Sequence, residues 1–409
     1  MDELINTHGF DLDAEAVLDP TIAPDGNPVD LGAEPRAIFL SGVTGFIGAY
    51  LLRELLDGTV ADVYTLVRAD SHEHAMERIR TNLETYHLWN KTLESRIIPV
   101  VGDLKLPLFG LTEAAFAELA NTVDVIYHCG SKLSYIAPYE FLKSANVGGT
   151  HEALRLATQV RTKPLHYVSS IGILLDYQTP SGGEEDAELD PYMCPPIGYF
   201  QSKYVAEKLV RTARDRGVPV TVQRIGLIVG DSTTGISNAD DFVARLIIGS
   251  ILTGYAPGVA TNMDMTPVDW VTKAMIYLAR QPDSAGKVFH LLNPQPIHWS
   301  DVFDLVNEAG YPVTKLPFAD WVSALEAHAD PETNPLSPLL PFFQINFARR
   351  MMGVSDEAYL ALGTEATQRA LESAGFTCAA IDSRYMQLYL AQFARLGRLN
   401  GRIPHGMFV

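Results

Sequence analysis

Apolar residues along this chain follow two rhythms, and their order predicts the architecture. From Ala37 onward, short apolar runs alternate with stretches of helical spacing. "AIFLSG" is a strand-like run closed by a glycine, and "FIGAYLLRELLDG" has helical spacing and stops at a glycine. "VYTLVR", "RIIPVVGDL" and "VDVIYHCG" repeat the strand pattern, with "HEHAMERIRTNLETY" as a helix after the first of them. "YEFLKSANVGGTHEALRLATQV" predicts a long helix, "PLHYVSSIGI" a strand, "IGYFQSKYVAEKLV" a helix and "PVTVQRIGLIVG" one further strand. Strands alternating with helices imply right-handed βαβ units and a parallel sheet covered on both faces.

After residue 230 the rhythm breaks. Helical patterns dominate ("DDFVARLIIGSILTG", "DWVTKAMIYLARQ", "WSDVFDLVNEAG", "AAIDSRYMQLYLAQFARLGRL"), with one strand, "KVFHLL", and a Pro-rich "DPETNPLSPLLPFF" among them. The expected fold class is α/β: a Rossmann-like doubly wound parallel sheet with a smaller, mostly helical C-terminal substrate domain. The expected division is a leader or linker over 1–35, wrapped on the domain, a dinucleotide-binding domain over 36–230, and a substrate-binding region over 231–409. Residues 260–295 are expected to return to the first domain, and the polar, broken stretch over 172–198 reads as a lid.

Composition narrows the class. A length of 409 residues is too long for one typical core, which fits a large domain beside a smaller one. No run of 18 apolar residues exists, so no membrane span is expected, and the acidic "MDELINTHGF" lacks a signal-peptide layout. Cys129, Cys194 and Cys378 lie far apart without metal-ligand spacing, so no metal is expected and a reducing cytoplasm fits. A formal net charge of −18 argues against a nucleic-acid partner.

Candidate chemistry begins at the first strand-to-helix turn. Gly42, Gly45 and Gly48 stand at GxxGxxG spacing: one for the tight turn, one for approach of a pyrophosphate, one for close helix packing. Thr44, Phe46 and Ile47 share that turn and join the candidate cofactor contacts. Arg68 ends the second strand, where a guanidinium would grip a 2′-phosphate and favour NADPH; Arg78 is a second candidate clamp, and Asp70 a competing NAD-type residue. Asp103, at the end of the third strand, would contact the adenine amino group or cap a turn. Leu104 beside it and Ser131 after the fourth strand complete the cofactor set.

"YFQSK" places Tyr199 and Lys203 four residues apart, on one face of a helix. An ammonium near a phenol lowers its pKa, so Tyr199 becomes a proton donor or acceptor near neutral pH, and Lys203 can also hold the nicotinamide ribose. A hydroxyl at the preceding strand end completes the set. Ser169 and Ser170 point to opposite faces, and Ser170 is chosen because it lies nearer the C-terminal strand edge.

The order of glycine turn, strand-end hydroxyl and Tyr-x-x-x-Lys resembles the extended short-chain dehydrogenase/reductase superfamily. Asn146 in "SANVGGT" resembles its structural Asn, either a backbone clamp or part of a proton relay and cofactor contact. "LSGVTGFIGAYLLRELL", "VVGDLKLPLFGLT", "VDVIYHCGSKLSYIAPYEFLKSANVGGTHEALRLA" and "RIGLIVGDSTTG" narrow the resemblance to the terminal thioester reductase domains of non-ribosomal peptide synthetases and carboxylic acid reductases, strongest over about 36–280. That resemblance implies NADPH and reductive release of an acyl or peptidyl thioester from the phosphopantetheine arm of a carrier protein, giving an aldehyde and then possible onward reduction to an alcohol. The start at Met1 and the leader suggest a domain excised from a larger synthetase and monomeric in that form, with a stand-alone protein as the alternative. Ser170 stands where the family has Thr, "QRIG" replaces Arg-Pro-Gly, and Trp270 of "TPVDW" takes an aromatic place. The rivals are a fatty acyl-CoA reductase, a nucleotide-sugar epimerase or dehydratase, a non-reducing cyclising relative and a non-catalytic NADP-binding sensor. For a carrier, the basic candidates are Lys208, Arg211, Arg214 and Arg216, or Arg349 and Arg350, against an ordinary solvated face.

Overall fold

The strand Ala37–Ser41 (β1) is buried at every position, which is why its apolar run shows no alternation: both faces are covered. The computed structural model describes residues 9–27, 29–175, 183–345, 348 and 362–399. In it β1 joins Asp62–Val67 (β2), Ile97–Val101 (β3), Val125–His128 (β4), Leu165–Ser170 (β5), Val220–Ile225 (β6) and Val288–Leu291 (β7). The sheet order is β7-β6-β5-β4-β1-β2-β3, and every pairing is parallel. This is the doubly wound Rossmann-like sheet that the pattern predicts. Pro99, which has no N–H to give, sits in the edge strand β3. The order reverses between β1 and β4, and there the C-terminal strand ends open a crevice.

The helices that shape the site are Leu12–Glu15 (α1), Phe46–Gly58 (α2), His72–Thr85 (α3), Tyr139–Lys143 (α4), Gly149–Thr158 (α5), Gly198–Asp215 (α6), Phe242–Thr253 (α7), Val268–Ala279 (α8), Leu340–Gln344 (α9) and Glu365–Ser373 (α10). Alternate residues of β1 feed opposite cores. Phe39 packs in the layer that holds Leu154 of α5 and Val205 of α6, whereas Ile38 and Leu40 pack with Leu52 of α2 and Val271 of α8.

The leader buries Leu12, Leu18 and Ile22 in the first of these cores. Lys208 of α6 and Arg216, which caps the end of that helix, hold it there. Lys208 reaches Asp13 at 2.7 Å, and Arg216 donates to the carbonyls of Leu18, Asp19 and Ile22 at 3.0, 2.6 and 2.8 Å. Arg211 serves Glu207 and the Ala187 carbonyl, and Arg214 pairs with Asp186 at 2.7 Å. The α6 cations therefore do not form a free docking patch, because internal anions and carbonyls occupy them. Arg349 and Arg350 lie outside the described residues.

Two further expectations change. "PVTVQRIGLIVG" is two strands, not one: β6 ends at Ile225, and Leu227–Val229 leaves the sheet to pair with Met265–Pro267. The break falls at Gly226, where any Cβ would collide with the Asp264 carboxylate. That carboxylate accepts the N–H groups of Leu227 and Asn293 at 3.2 and 2.8 Å, so the glycine gives it room to pin the crossing. The expected lid is also not free over 183–198. Tyr204 donates to the Leu189 carbonyl at 3.2 Å, and Glu185 is buried against Thr367 of α10. Residues 176–182 of that stretch lie outside the described residues.

Candidate active site

The turn between β1 and α2 needs its glycines for space. Gly42 has φ +88°, and a Cβ there would stand 2.7 Å from the Gly130 nitrogen. A Cβ on Gly48 would collide with the Gly42 carbonyl oxygen, so α2 packs directly on the turn. Gly45 caps α2 without a side-chain hydrogen bond, which leaves the first N–H groups of the helix facing the cleft. Asn82 of α3 steadies the turn by donating to the carbonyls of Val43 and Gly45 at 3.0 and 3.1 Å. A buried chain of hydrogen bonds joins it to β4. Gly130 N–H donates to Ser41 Oγ at 3.0 Å, and Ser41 Oγ lies 2.7 Å from His128 Nδ1. His128 Nε2 lies 3.0 Å from Thr150 Oγ1, whose own proton goes to the Asn146 carbonyl. The network assigns the His128 proton to Nε2. Burial holds His128 neutral, its pKa pushed down to about 3.

The turn opens on a cavity of about 860 Å³ that runs along the C-terminal strand ends. Gly42, Thr44, Gly45, Phe46, Ile47, Gly48, Arg68, Arg78, Asp103, Leu104, Ser131, Ser170, Tyr199 and Lys203 all line it. Arg68 and Arg78 stand together, Arg78 donating to the Arg68 carbonyl. Asp70 is turned to solvent beside His74 and does not line the cavity. Asp103 faces the cavity and also caps its own turn, accepting Lys105 N–H at 3.0 Å.

Asn146 is the exception among the candidates. Its side chain accepts Lys132 N–H at 2.6 Å and donates to the Lys132 carbonyl at 3.0 Å and to Ser202 Oγ at 2.8 Å. It is buried behind the cavity wall, in a single π turn over Ser144–Gly148 between α4 and α5. With its amide so committed, Asn146 is a clamp on the loop after β4, and it does not line the cavity.

Strand alternation separates the two serines. Ser169 is buried and donates to Glu207 at 2.6 Å. Ser170 faces the cavity and accepts Gly172 N–H at 3.1 Å, which leaves its hydroxyl proton to donate. Tyr199 opens the first turn of α6, and Lys203 follows one turn later. Lys203 Nζ donates to the Val168 carbonyl at 2.6 Å and lies 4.2 Å from the Tyr167 ring centre. The expected lowering of the Tyr199 pKa by Lys203 is not what the structure has. Burial pushes the phenol up to about 12, with the Ser131 hydroxyl partly offsetting it. Burial likewise brings Lys203 down to about 8, against the raising effects of Cys129 and Glu207.

Sequence pattern alone did not reveal the wall facing Tyr199. Tyr135, in the loop after β4, has its ring 6.2 Å from Tyr199, 5.4 Å from Phe242 of α7 and 5.5 Å from Phe342 of α9. Asp241, the N-cap of α7, lines the same end of the cavity, and burial pushes its pKa up to about 7. These residues come from three segments far apart in the chain, and only the "YHCGSKLSYIAPYEF" stretch carried a local cue. Among the described residues no cluster of His, Cys, Asp or Glu is placed to hold a metal, and no helix is long and apolar enough to cross a membrane.

Residues 40–275 match the NAD-binding family described as male sterility protein. The chain is 37% identical over 401 residues to a linear gramicidin synthase protein of Brevibacillus parabrevis, covering 95% of this chain and 8% of that protein. It is 42% identical over 324 residues to the glycine betaine reductase ATRR of Emericella nidulans, covering 76% of this chain and 25% of that one. The chain thus spans a small part of these relatives' length. Among solved structures, the terminal R domain of the myxalamid PKS-NRPS pathway superposes with a TM-score of 0.88 at 39% identity, over 95% of this chain and 98% of that one. The reductase domain of a nonribosomal peptide synthetase from Mycobacterium tuberculosis gives 0.78 at 27% identity, over 95% and 98%. The chain is an NAD(P)-dependent reductase and belongs to the male sterility protein family of NAD-binding domains, alongside the R domains of nonribosomal peptide synthetases.

Proposed function

We propose that this chain uses NADPH to reduce an acyl or peptidyl thioester held on the phosphopantetheine arm of a carrier protein, releasing an aldehyde. The observation that carries this is the cavity that gathers the glycine turn, Arg68, Arg78, Ser170, Tyr199 and Lys203. The dinucleotide fits the residues present: bare glycine backbone at Gly42 and Gly48, and the open N-terminus of α2 for the pyrophosphate. What NADPH supplies when bound is a hydride for the thioester carbonyl carbon.

The rest falls to the side chains. Tyr199, held protonated by burial, donates to the carbonyl oxygen as negative charge develops on it. Ser170 adds a second hydrogen bond to that oxygen, and the two donors form a preorganised oxyanion site. Lys203, which lines the same cavity, brings positive charge to the site. Tyr135, Phe242 and Phe342 keep water from the reacting carbonyl. Collapse of the resulting hemithioacetal frees the carrier thiol and leaves the aldehyde.

Arg68 and Arg78 support NADPH over NADH, because the acid that would prefer a free ribose, Asp70, points away. Arg68→Ala is expected to raise KM for NADPH about 10- to 100-fold, the worth of a charge-assisted hydrogen bond, and to leave KM for NADH nearly unchanged. Initial rates with an acyl thioester and each cofactor test this. Equal losses with both cofactors would remove the 2′-phosphate role.

The pH profile follows from Lys203. Its folded pKa of about 8 means that the ammonium is present below that pH and lost above it. The kcat is therefore expected to fall with a slope of one proton as pH rises through about 8, while Tyr199 stays protonated throughout that range. A rate that stays level well above that pH contradicts the role given to the ammonium.

A further inference from the structure

The mouth of the cavity carries an unusual surface for so acidic a chain. Leu106, Leu133, Ile136 and Phe141 are 50, 57, 54 and 56% exposed, and all belong to the turns after β3 and β4 or to α4, which follows. Leu133 and Ile136 also line the cavity. Two cations join them into one patch. Lys132 Nζ lies 3.4 Å from the Phe141 ring centre, and Lys105 precedes Leu106. Leu104, the residue before Lys105, packs against the glycines of both Gly130 and Gly149, which fixes the first turn beside the second. Among the described residues neither Lys105 nor Lys132 has an ion-pair partner. Lys132 feels Lys105 and Arg68 as like charges, and its pKa is lowered, first by burial and then by these two.

Exposed apolar groups around unpaired cations are the composition of a docking site for an anionic partner. We infer that the rim formed by Lys105, Leu106, Lys132, Leu133, Ile136 and Phe141 is the surface on which the carrier protein docks. The inference rests on the carrier-thioester reading above and adds where the carrier sits. Two features point to this occupant. A phosphopantetheine arm is joined to its carrier through a phosphodiester, so the mouth of its channel must receive a negative charge, and Lys105 and Lys132 stand at the mouth. The loop over 131–138 bears the rim on one side and Tyr135, set edge-on to Tyr199, on the other, so an arm entering here leads to the candidate acid. On a chain of net charge −18, an acidic carrier is repelled by most of the surface and admitted where unpaired cations gather.

Leu106→Asp and Phe141→Asp test this, because both side chains stand outside the cavity lining. Each variant is assayed with one acyl group presented in two ways, on a carrier protein and on N-acetylcysteamine. The rim predicts that KM for the carrier-bound thioester rises about tenfold or more, the scale of an interface hot spot, while the small thioester is reduced within about twofold of the parent rate. Unchanged KM for the carrier substrate, or equal losses on both substrates, overturns the docking surface. Sedimentation of the parent chain provides a further outcome: a dimer that these substitutions dissolve assigns the face to a second copy and overturns it too. If the unsubstituted chain shows no preference for the carrier-bound substrate, the carrier reading itself fails, which the parent assay alone reveals.

Discussion

Tyr199→Phe is expected to lower kcat for thioester reduction by about 10²- to 10⁴-fold, the usual contribution of a positioned general acid. The substitution removes one oxygen and little else. The ring stays in its place among Tyr135, at 6.2 Å, and Phe200, at 5.6 Å, so the aromatic wall persists. KM for NADPH and the urea midpoint are therefore expected to stay near the parent values. The effect is large because the phenol works where water is excluded and its pKa of about 12 keeps it in the donating form. Ser170→Ala, which leaves Tyr199 in place, is expected to lose less. A Phe variant that reduces the thioester at the parent rate would remove Tyr199 from the chemistry.

Glu207→Ala is expected to cost about 3–5 kcal/mol of stability, as removal of one member of a buried ion pair does elsewhere. Glu207 is buried on α6, one turn beyond Lys203. It takes two guanidinium groups, Arg224 at 2.6 Å and Arg211 at 3.1 Å, and the Ser169 hydroxyl at 2.6 Å. Removing it leaves the Arg224 guanidinium buried in β6 against His290 and the Glu185 carbonyl, neither of which is an anion. It also unties β5 from α6, the two elements that carry Ser170 and Tyr199. A lower urea midpoint at unchanged slope, together with lower kcat, is the expected pattern. The sign with pH follows from the depressed pKa of about 2, where the two arginines outweigh burial. The carboxylate's stabilisation is present in full above its unfolded value near 4.5 and is lost as pH falls toward 2. The parent chain should lose that contribution across this window, and the Ala variant should not.

What the sequence made legible was local. The glycine turn, Arg68 at a strand end, and the Tyr199–Lys203 spacing each depend on neighbours within a turn or two, and each lines the cavity. The seven-stranded sheet was legible because its buried strands leave continuous apolar runs. What stayed hidden depends on partners distant in sequence. Gly226 breaks a strand only because Asp264 occupies its Cβ position. Lys203 turns to the Val168 carbonyl, so spacing alone misjudged its effect on the phenol. Arg216 and Lys208 looked free because their partners, the leader carbonyls and Asp13, lie far earlier in the chain. Asn146 was recognisable by its setting, but its commitment to Lys132 required the loop after β4 to be in place.

The most direct measurement is a single turnover. A carrier protein loaded with an acyl thioester is mixed with excess chain and NADPH, and the products are identified by mass while absorbance follows the cofactor. The account predicts that one NADPH is consumed for each aldehyde released, that the carrier returns with a free thiol, and that NADH substitutes poorly. Release of a free acid or a cyclised product without NADPH consumption would contradict it.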